Sequence, residues 1–384
     1  MAFTLALPKI NISGEEAIKE FVALLANKNS GNGFIIADQA LEKLGLLEPL
    51  LKELDQNQLV FSCFTDTVPN PTVSVVNSAF EAFQASGADY IIGFGGGSAI
   101  DTAKAVKILT ANPKPITLYT GVGHVKNPGV PLYAINTTAG TAAEVTSNAV
   151  ITDEENKVKC VIIDSNIIPD ASVNDPSIML GLPADVTAAT GMDALTHAIE
   201  AYVSVGAHTL TDHSALESVR VISKYLPHTV EDGSNFEARE MMALGQFLAG
   251  MAFNSAGLGM VHAMAHPAGA HKNLPHGVCN AILLPIVCEF NRPHRVEKFA
   301  NLASALGCKT EGLSQEQASL EAVRAIRELS ERVGIPKGFA EFGVTKQDLE
   351  SWVESALADP CAGGNPVAMT ADDVLNLYVE SLGA

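Results

Sequence analysis

The chain has 384 residues, of which 47% are hydrophobic and 17% charged, and its formal net charge is -19. This much apolar material excludes global disorder and is enough for the cores of two or three domains. The acidic balance disfavours nucleic acid and anionic membranes as partners. The six cysteines include no C-x-x-C pair and the N-terminus has no signal-peptide pattern, so we expect reduced thiols and a cytoplasmic location.

The first half of the chain alternates strand-like and helix-like segments. Strands are predicted over 33–38, 59–64, 89–94 and 131–135, helices over 41–54, 72–86 and from the glycines at 95–97 to Leu109, and a hairpin pairing 149–152 with 158–164. Alternation at this spacing predicts a parallel sheet covered by helices on both faces.

After about residue 180, apolar residues recur at helical spacing, which predicts helices over 183–203, 210–225, 236–252, 258–270 and 315–333. Between Glu240 and Lys272 there is no charged residue, and the length alone permits a membrane span. Five glycines and three histidines in this segment favour buried helices that line a site. We therefore predict an α/β domain at 1–180, an all-α domain at 181–384, and an active site in the cleft between them.

A glycine run at 95–97, followed by Ser98, comes after a predicted strand and opens a predicted helix. Glycine lets the backbone approach a pyrophosphate, and a helix N-terminus offers free N–H groups, so this segment predicts phosphate binding. Asp38 ends an earlier strand, where a carboxylate could accept from ribose hydroxyls and favour NAD over NADP. Alternatively, Asp38 is an ordinary turn or cap residue. The acid precedes the glycines, unlike the usual dinucleotide fingerprint.

The segment from Thr137 to Thr141 also joins a strand to a predicted helix. Thr141 and Glu144 have the spacing of a capping box, which predicts a helix beginning here. Two interpretations stay open for the hydroxyls of this segment: they contact phosphate or ribose, or they only cap the helix.

Asp193 and His197 lie four positions apart, as do His262 and His266, and His276 follows ten residues later. Residues at i and i+4 share one face of a helix. One carboxylate with several histidines suits iron(II) or zinc, and the absence of cysteine ligands argues against a structural zinc site. Each histidine alone is more simply an ordinary residue, but their clustering in an uncharged segment predicts a metal site.

Together these segments resemble the iron-containing (group III) alcohol dehydrogenase family over essentially the whole chain. The likeness is carried by Gly-Gly-Gly-Ser at 95–98, Asn-Thr-Thr-Ala-Gly-Thr at 136–141, Gly-Met-Asp-Ala-Leu-Thr-His-Ala-Ile-Glu at 191–200 and the run from His262 to Gly277. The resemblance implies a dehydroquinate synthase-like fold, with an α/β dinucleotide-binding domain and an all-α metal-binding domain. It also implies an NAD-dependent dehydrogenase with Fe²⁺, or alternatively Zn²⁺, acting on a small alcohol or aldehyde as a homodimer or larger homo-oligomer.

The resemblance further implies roles for individual residues. The metal ligands would be Asp193, His197, His262 and His276, and His266 would lie near the metal without binding it, beside the nicotinamide and substrate. Because histidine exchanges protons near neutral pH, we also expect His266 to pass the alcohol proton toward solvent. NAD contacts would come from Asp38, Asn70, Gly96, Gly97, Ser98, Thr137, Thr138 and Lys159. The substrate pocket would be bordered by Asn148, Phe253 and Cys361.

Segments 68–72, 86–90, 265–267 and 361–366 resemble most closely the family members that interconvert lactaldehyde and 1,2-propanediol. The chain departs from the family at His271-Lys272, where two aromatic residues are usual, and at Val367, where close relatives tend to carry arginine. These departures leave the exact substrate open. Two other functions stay open as well: an NAD- and metal-dependent lyase of the dehydroquinate synthase type, disfavoured because 241–271 holds no basic Lys or Arg for an anionic substrate, and a non-catalytic metal- and nucleotide-binding protein.

Overall fold

The computed structural model describes residues 3–28 and 31–383. The chain divides into two compact units. The first, here called the α/β domain, comprises residues 6–138 and 142–180. The second, the helical domain, comprises the residues up to Leu5, residues 139–141 and the chain from Gly181 onward.

The α/β domain is built on a six-stranded, all-parallel sheet with the order β1-β9-β6-β4-β2-β3. Its strands are β1 (Ile10–Ser13), β2 (Gly33–Asp38), β3 (Phe61–Thr67), β4 (Tyr90–Gly95), β6 (Leu132–Asn136) and β9 (Ala171–Asn174). A separate hairpin pairs β7 (Asn148–Asp153) with β8 (Val158–Ile163), and the short β5 (Gly121–Val122) lies parallel to β8. The predicted parallel sheet and hairpin are thus confirmed.

Helices cover both faces of this sheet, so its strands are almost continuously apolar. The helices are α1 (Ala17–Asn27), α2 (Gln39–Lys43), α3 (Glu48–Gln56), α4 (Val73–Ser86) and α5 (Gly97–Leu109). Phe21 and Leu50 of α1 and α3 belong to the core on one face, and Val76 and Phe80 of α4 to the core on the other. All six strands are parallel, so the residues that end β2, β4 and β6 lie at the same edge of the sheet.

Two helix predictions in this domain were wrong. The predicted helix over 41–54 is two helices, α2 and α3, separated by a turn in which Gly45 has a φ of 72°. No helix follows the threonines at 137–141: Ala142 has a φ of 51°, and the chain runs through a turn into β7. Glu144 is buried and accepts a hydrogen bond from the side chain of Asn174 instead of capping a helix.

The helical domain contains the five helices predicted for it. They are α6 (Ala184–Val203), α7 (Thr209–Glu231), α8 (Phe236–Ala256), α9 (Met260–Lys272) and α12 (Gln315–Arg332). Four further helices were not predicted: α10 (His276–Asn291), α11 (Val296–Ala305), α13 (Lys346–Ala358) and α14 (Ala371–Glu380). α6 packs against α7, α8 and α10 and is buried on nearly all sides, so polar residues on it face protein rather than water.

The uncharged segment forms α8 and α9, most of whose residues are buried within the helical domain. Within residues 3–28 and 31–383, no single helix has both the length and the apolar composition to cross a membrane. α8 and α9 reach that length and composition only as a pair, and the pair bends by 103° at the break.

Candidate active site

Three of the four predicted metal ligands converge inside the helical domain. Asp193 lies in the middle of α6, His262 in the first turn of α9, and His276 at the first position of α10. Their ligand atoms all lie within 4.8 Å of one another. Oδ1 of Asp193 is 3.6 Å from Nε2 of His276 and 3.9 Å from Nε2 of His262.

His197, the fourth predicted ligand, borders this cluster. It lies one turn after Asp193, and its Nδ1 is 4.0 Å from Oδ2 of that carboxylate. Its ring stacks on two neighbouring rings, with centroid distances of 4.5 Å to His262 and 4.4 Å to Phe253. Nδ1 of His197 is buried and has no hydrogen-bond partner among the described residues, so this nitrogen remains available to bind a metal.

Burial also sets the charge of this cluster. The side chains of Asp193 and His262 are each only 2% exposed, whereas that of His276 is 33% exposed and leaves one side open. Burial lowers the pKa of His197 and lowers the pKa of His262 well below its ordinary value. Both imidazoles are therefore neutral at neutral pH and keep the lone pair that a metal requires.

Asn280 marks the point on which the ligand atoms converge. Its Nδ2 is 2.7 Å from Oδ1 of Asp193, 3.0 Å from Nε2 of His262 and 3.1 Å from Nε2 of His276. An amide nitrogen has two hydrogens and cannot satisfy three acceptors. Three acceptor atoms thus converge on one point, which is the arrangement that a divalent cation fits.

Glu200 lies on the same face of α6 as Asp193, seven residues later. Its Oε2 is 2.6 Å from Nδ1 of His262, and its Oε1 accepts the backbone N–H of Val261 at 2.7 Å. Burial raises the pKa of Glu200 to about 8, so in the metal-free chain this carboxyl group is largely protonated at neutral pH, whereas a bound cation would favour its carboxylate form. A carboxylate at Nδ1 fixes the tautomer whose Nε2 can bind a metal.

His266 has its own carboxylate partner. Its Nδ1 is 2.7 Å from Oδ2 of Asp359, and both side chains are 7% exposed. Burial by itself raises the pKa of Asp359, but the interaction with His266 and the hydrogen bond from the backbone of Cys361 outweigh it, so the pKa is lowered and the carboxyl is ionised. Burial raises the pKa of the neighbouring Cys361 thiol well above its ordinary value, so this thiol stays protonated.

In the α/β domain, the glycine run forms the turn between β4 and α5, as predicted. Gly95 has a φ of 151°, and a Cβ on it would lie 2.7 Å from Cβ of Ala99. A Cβ on Gly96 would lie 3.0 Å from Oγ1 of Thr138, and no side chain caps the helix that Gly97 and Ser98 open. Oγ1 of Thr137 is buried without a partner among the described residues. Free helix N–H groups, bare backbone and an unused hydroxyl fit a phosphate group.

Two other groups of predicted NAD contacts lie in this domain. Asp38 ends β2 and caps α2, accepting the N–H of Leu41 at 2.9 Å, which is the cap role left open by the sequence. Its Oδ2 lies 3.7 Å from where a Cβ of Gly95 would stand, so it neighbours the glycine turn. Nζ of Lys159 donates to Oδ1 of Asn70 at 2.6 Å, which brings these two residues together. Their contacts with NAD stay predictions.

The residues predicted for the substrate pocket lie in both domains. Asn148 begins β7, and its carbonyl accepts from the buried Nζ of Lys104 at 2.7 Å. Phe253 covers the ring of His197, and Cys361 follows Asp359 in a short 3₁₀ helix, Pro360–Gly364.

The two departures from the family pattern, at His271-Lys272 and at Val367, contact residues outside the ligand cluster. Lys272 pairs with Asp348 at 2.9 Å, and His271 lies 6.3 Å, ring to ring, from Trp352. The carbonyl of Val367 accepts from the side chain of Asn365 at 2.8 Å. The positive charge of Lys272 is thus already compensated by a carboxylate.

No site role was predicted from the sequence for Glu200, Asn280 or Asp359. The first two carried a signal, because Glu200 follows Asp193 by seven positions and Asn280 follows His276 by four, the spacings of a shared helix face. Asp359 is 93 residues from His266 and carried no such signal.

Known proteins resemble this chain over nearly its whole length. A family model for iron-containing alcohol dehydrogenase matches residues 8–176, and a model for the C-terminal part of the same family matches residues 187–382. The chain is 40% identical to an NAD-dependent methanol dehydrogenase of Bacillus methanolicus, covering 98% of this chain and 99% of the relative. It is 42% identical to a lactaldehyde reductase of Escherichia coli, covering 95% and 96%.

A solved structure of a 1,3-propanediol oxidoreductase superimposes with a TM-score of 0.97 at 39% identity, covering 99% of this chain and 100% of the other. Similarity of this extent covers both domains. The chain is therefore an oxidoreductase that belongs to the iron-containing alcohol dehydrogenase family.

Proposed function

We propose that this protein interconverts a short-chain alcohol and its aldehyde with NAD(H), using a divalent metal, Fe²⁺ in the first instance, held by Asp193, His197, His262 and His276. The observation that carries the proposal is the convergence of three ligand atoms within 4.8 Å in a buried site. Two of the four residues, His197 and His262, are kept neutral by burial.

The bound groups supply the reactivity: the metal acts as a Lewis acid toward the substrate oxygen, and NAD(H) carries the hydride. The chain's own residues bind and orient. The α5 N-terminus and the bare backbone at Gly96 would receive the pyrophosphate. Asp38 would accept from the adenosine ribose hydroxyls and disfavour a 2′-phosphate, which supports NAD over NADP. His266, held through Nδ1, keeps Nε2 as an acceptor for the alcohol proton.

For the substrate we propose lactaldehyde and 1,2-propanediol, or a similarly small and uncharged pair. Relatives at about the same identity are named for methanol and lactaldehyde. A small neutral substrate agrees with the surroundings of the ligand cluster: Phe253 is apolar, Cys361 is a protonated thiol, and the charge of Lys272 is paired with Asp348. A homodimer or larger assembly and a cytoplasmic location belong to the same proposal.

The test is anaerobic NADH oxidation by metal-stripped protein, with and without added Fe²⁺, on lactaldehyde, formaldehyde and 3-hydroxypropionaldehyde. We expect activity only with metal and the highest kcat/KM with lactaldehyde. A different ranking would reject the substrate and leave the reaction class intact. No oxidation with any aldehyde, despite bound iron and bound NADH, would instead favour the lyase or the non-catalytic alternative.

A further inference from the structure

Helix α9 carries two buried histidines, His262 and His266. His262 is a proposed metal ligand, whereas His266 is not. Nδ1 of His266 lies at hydrogen-bond distance, 2.7 Å, from Oδ2 of Asp359, and the two side chains are almost fully buried. Within residues 3–28 and 31–383, Nε2 of His266 makes no hydrogen bond. Nδ1 of the ring therefore has a hydrogen-bond partner, whereas Nε2 has none among the described residues.

The carboxylate of Asp359 also accepts a hydrogen bond from a second residue. Oδ1 of Asp359 accepts the backbone N–H of Cys361 at 2.8 Å, where Asp359 caps the 3₁₀ helix Pro360–Gly364. The sulfur of Cys361 lies within 4.8 Å of an oxygen of the same carboxyl group. Both oxygens are therefore engaged as acceptors, one by a donor that cannot change its role.

We propose that Asp359 is a positioning residue for proton transfer, which holds His266 as the Nδ1–H tautomer so that Nε2 carries the lone pair toward the reacting alcohol. This inference rests on the proposed function, because it assigns a purpose to the proton that His266 would accept. During alcohol oxidation the O–H bond breaks, Nε2 gains the proton, and the resulting imidazolium is stabilised by the adjacent carboxylate. During aldehyde reduction the same proton returns to the new alcohol oxygen.

The alternative assignment, a second metal held by His266, Asp359 and Cys361, agrees less well with these contacts. The three groups could surround an ion by distance. However, a metal would have to displace the groups that already occupy both oxygens of Asp359.

The Asp359→Asn variant separates tautomer control from simple packing. Asparagine keeps the shape and the N-cap, but it has only one acceptor oxygen. The N–H of Cys361 can only donate and therefore takes that oxygen. The amide NH₂ then faces Nδ1 of His266, which must become an acceptor, so the proton moves to Nε2 and the lone pair is lost from the reacting side.

The first measurement is a double-mutant cycle on kcat with the metal-loaded enzyme. We expect His266→Ala to lower kcat about a hundredfold and Asp359→Asn to lower it at least about tenfold, with metal content unchanged in both. In the His266→Ala background, Asp359→Asn should change kcat by less than about twofold, because its whole effect passes through the imidazole. Asp372→Asn, an exposed change on α14, is the matched control and should behave as the unmodified protein.

The second measurement does not depend on activity. Histidine-selective ¹⁵N labelling of the protein loaded with diamagnetic Zn²⁺, with His266 assigned by the signals lost in His266→Ala, reports which ring nitrogen carries the proton. We expect Nδ1–H in the unmodified protein and Nε2–H in Asp359→Asn. A ring already protonated at Nε2, or a tautomer that Asp359→Asn leaves unchanged, overturns the inference.

The two measurements keep the failures apart. Absence of aldehyde reduction by the unmodified, metal-loaded protein rejects the proposed function, while the NMR result still decides whether Asp359 sets the tautomer. If His266→Ala lowers kcat and Asp359→Asn adds the same loss in both backgrounds, the proposed function stands and the positioning role is rejected.

Discussion

Glu200→Gln tests whether a carboxylate behind His262 is needed to hold the metal. A metal bound at Nε2 of His262 requires the ring proton to lie on Nδ1, and the carboxylate form of Glu200, whose Oε2 lies 2.6 Å from Nδ1, would accept that proton. In the variant, the single amide oxygen goes to the N–H of Val261, which can only donate. The amide NH₂ then meets Nδ1, and the tautomer that binds metal is opposed.

The magnitude follows from the hydrogen bond that is lost. A hydrogen bond to a charged group contributes about 1.5–3 kcal/mol, which corresponds to a change of about 10- to 150-fold in an equilibrium constant. Replacing the partner of a ligating histidine elsewhere typically lowers metal affinity about 10- to 100-fold. We therefore expect metal affinity to fall by at least about tenfold, with the fold retained because the Val261 bond survives.

The assay is an anaerobic competition titration of Fe²⁺ or Zn²⁺ against a chelator of known affinity, for Glu200→Gln and for Glu240→Gln. Glu240 is exposed on α8, so its variant makes the same chemical change outside the site and should bind metal normally. Equal affinities for both variants and the unmodified protein would refute the reasoning. Loss of helical signal in Glu200→Gln alone would indicate a folding defect, and Glu200→Asp, which keeps the charge, would then serve as the second variant.

The contacts described above allow three other predictions. Stripping the metal should lower the melting temperature of the helical domain by about 5–10 °C relative to protein with metal at about 100 times its Kd, since such binding adds about 2.7 kcal/mol. No shift on calorimetry would argue against a bound metal. Gly96→Ala should raise the Kd of NADH by about tenfold, or about 1.4 kcal/mol, because the new Cβ lies 3.0 Å from Oγ1 of Thr138 beside the expected phosphate; fluorescence titration measures it, and an unchanged Kd would contradict the assignment. Lys104→Met should destabilise the α/β domain by about 2 kcal/mol, because its buried Nζ donates to the carbonyls of Thr146 and Asn148 at 2.8 and 2.7 Å; a urea midpoint equal to or above that of the unmodified protein would contradict it.

Sequence periodicity predicted those features that depend on neighbours along the chain. The shared face of Asp193 and His197 follows from helical spacing alone, and the strand-glycine-helix unit at 90–109 follows from local pattern. What failed were features set by distant contacts. The spacing of Thr141 and Glu144 indicated a helix cap, but Asn174, on another strand, binds the Glu144 carboxylate and the chain turns instead.

Short strands were missed for a related reason. β1 and β9 have four residues each, too few for a periodic signal, and they are defined only by their pairing with one another and with β6. Likewise, no local pattern joins His266 to Asp359. Only the packing of α9 against the 3₁₀ helix that follows α13 brings the two together.

The two histidines of α9 illustrate how one helix can serve two chemical roles. His262 and His266 lie one turn apart with ring centroids 6.2 Å from each other, and each has a carboxylate at Nδ1. The carboxylates come from different elements, so the two rings can be perturbed separately. If His262 is a ligand and His266 a base, Glu200→Gln should reduce metal affinity, whereas Asp359→Asn should reduce kcat with metal affinity unchanged. Loss of metal in both variants would mean that the two rings form one ligand set, and proton transfer would then have to be assigned to another group.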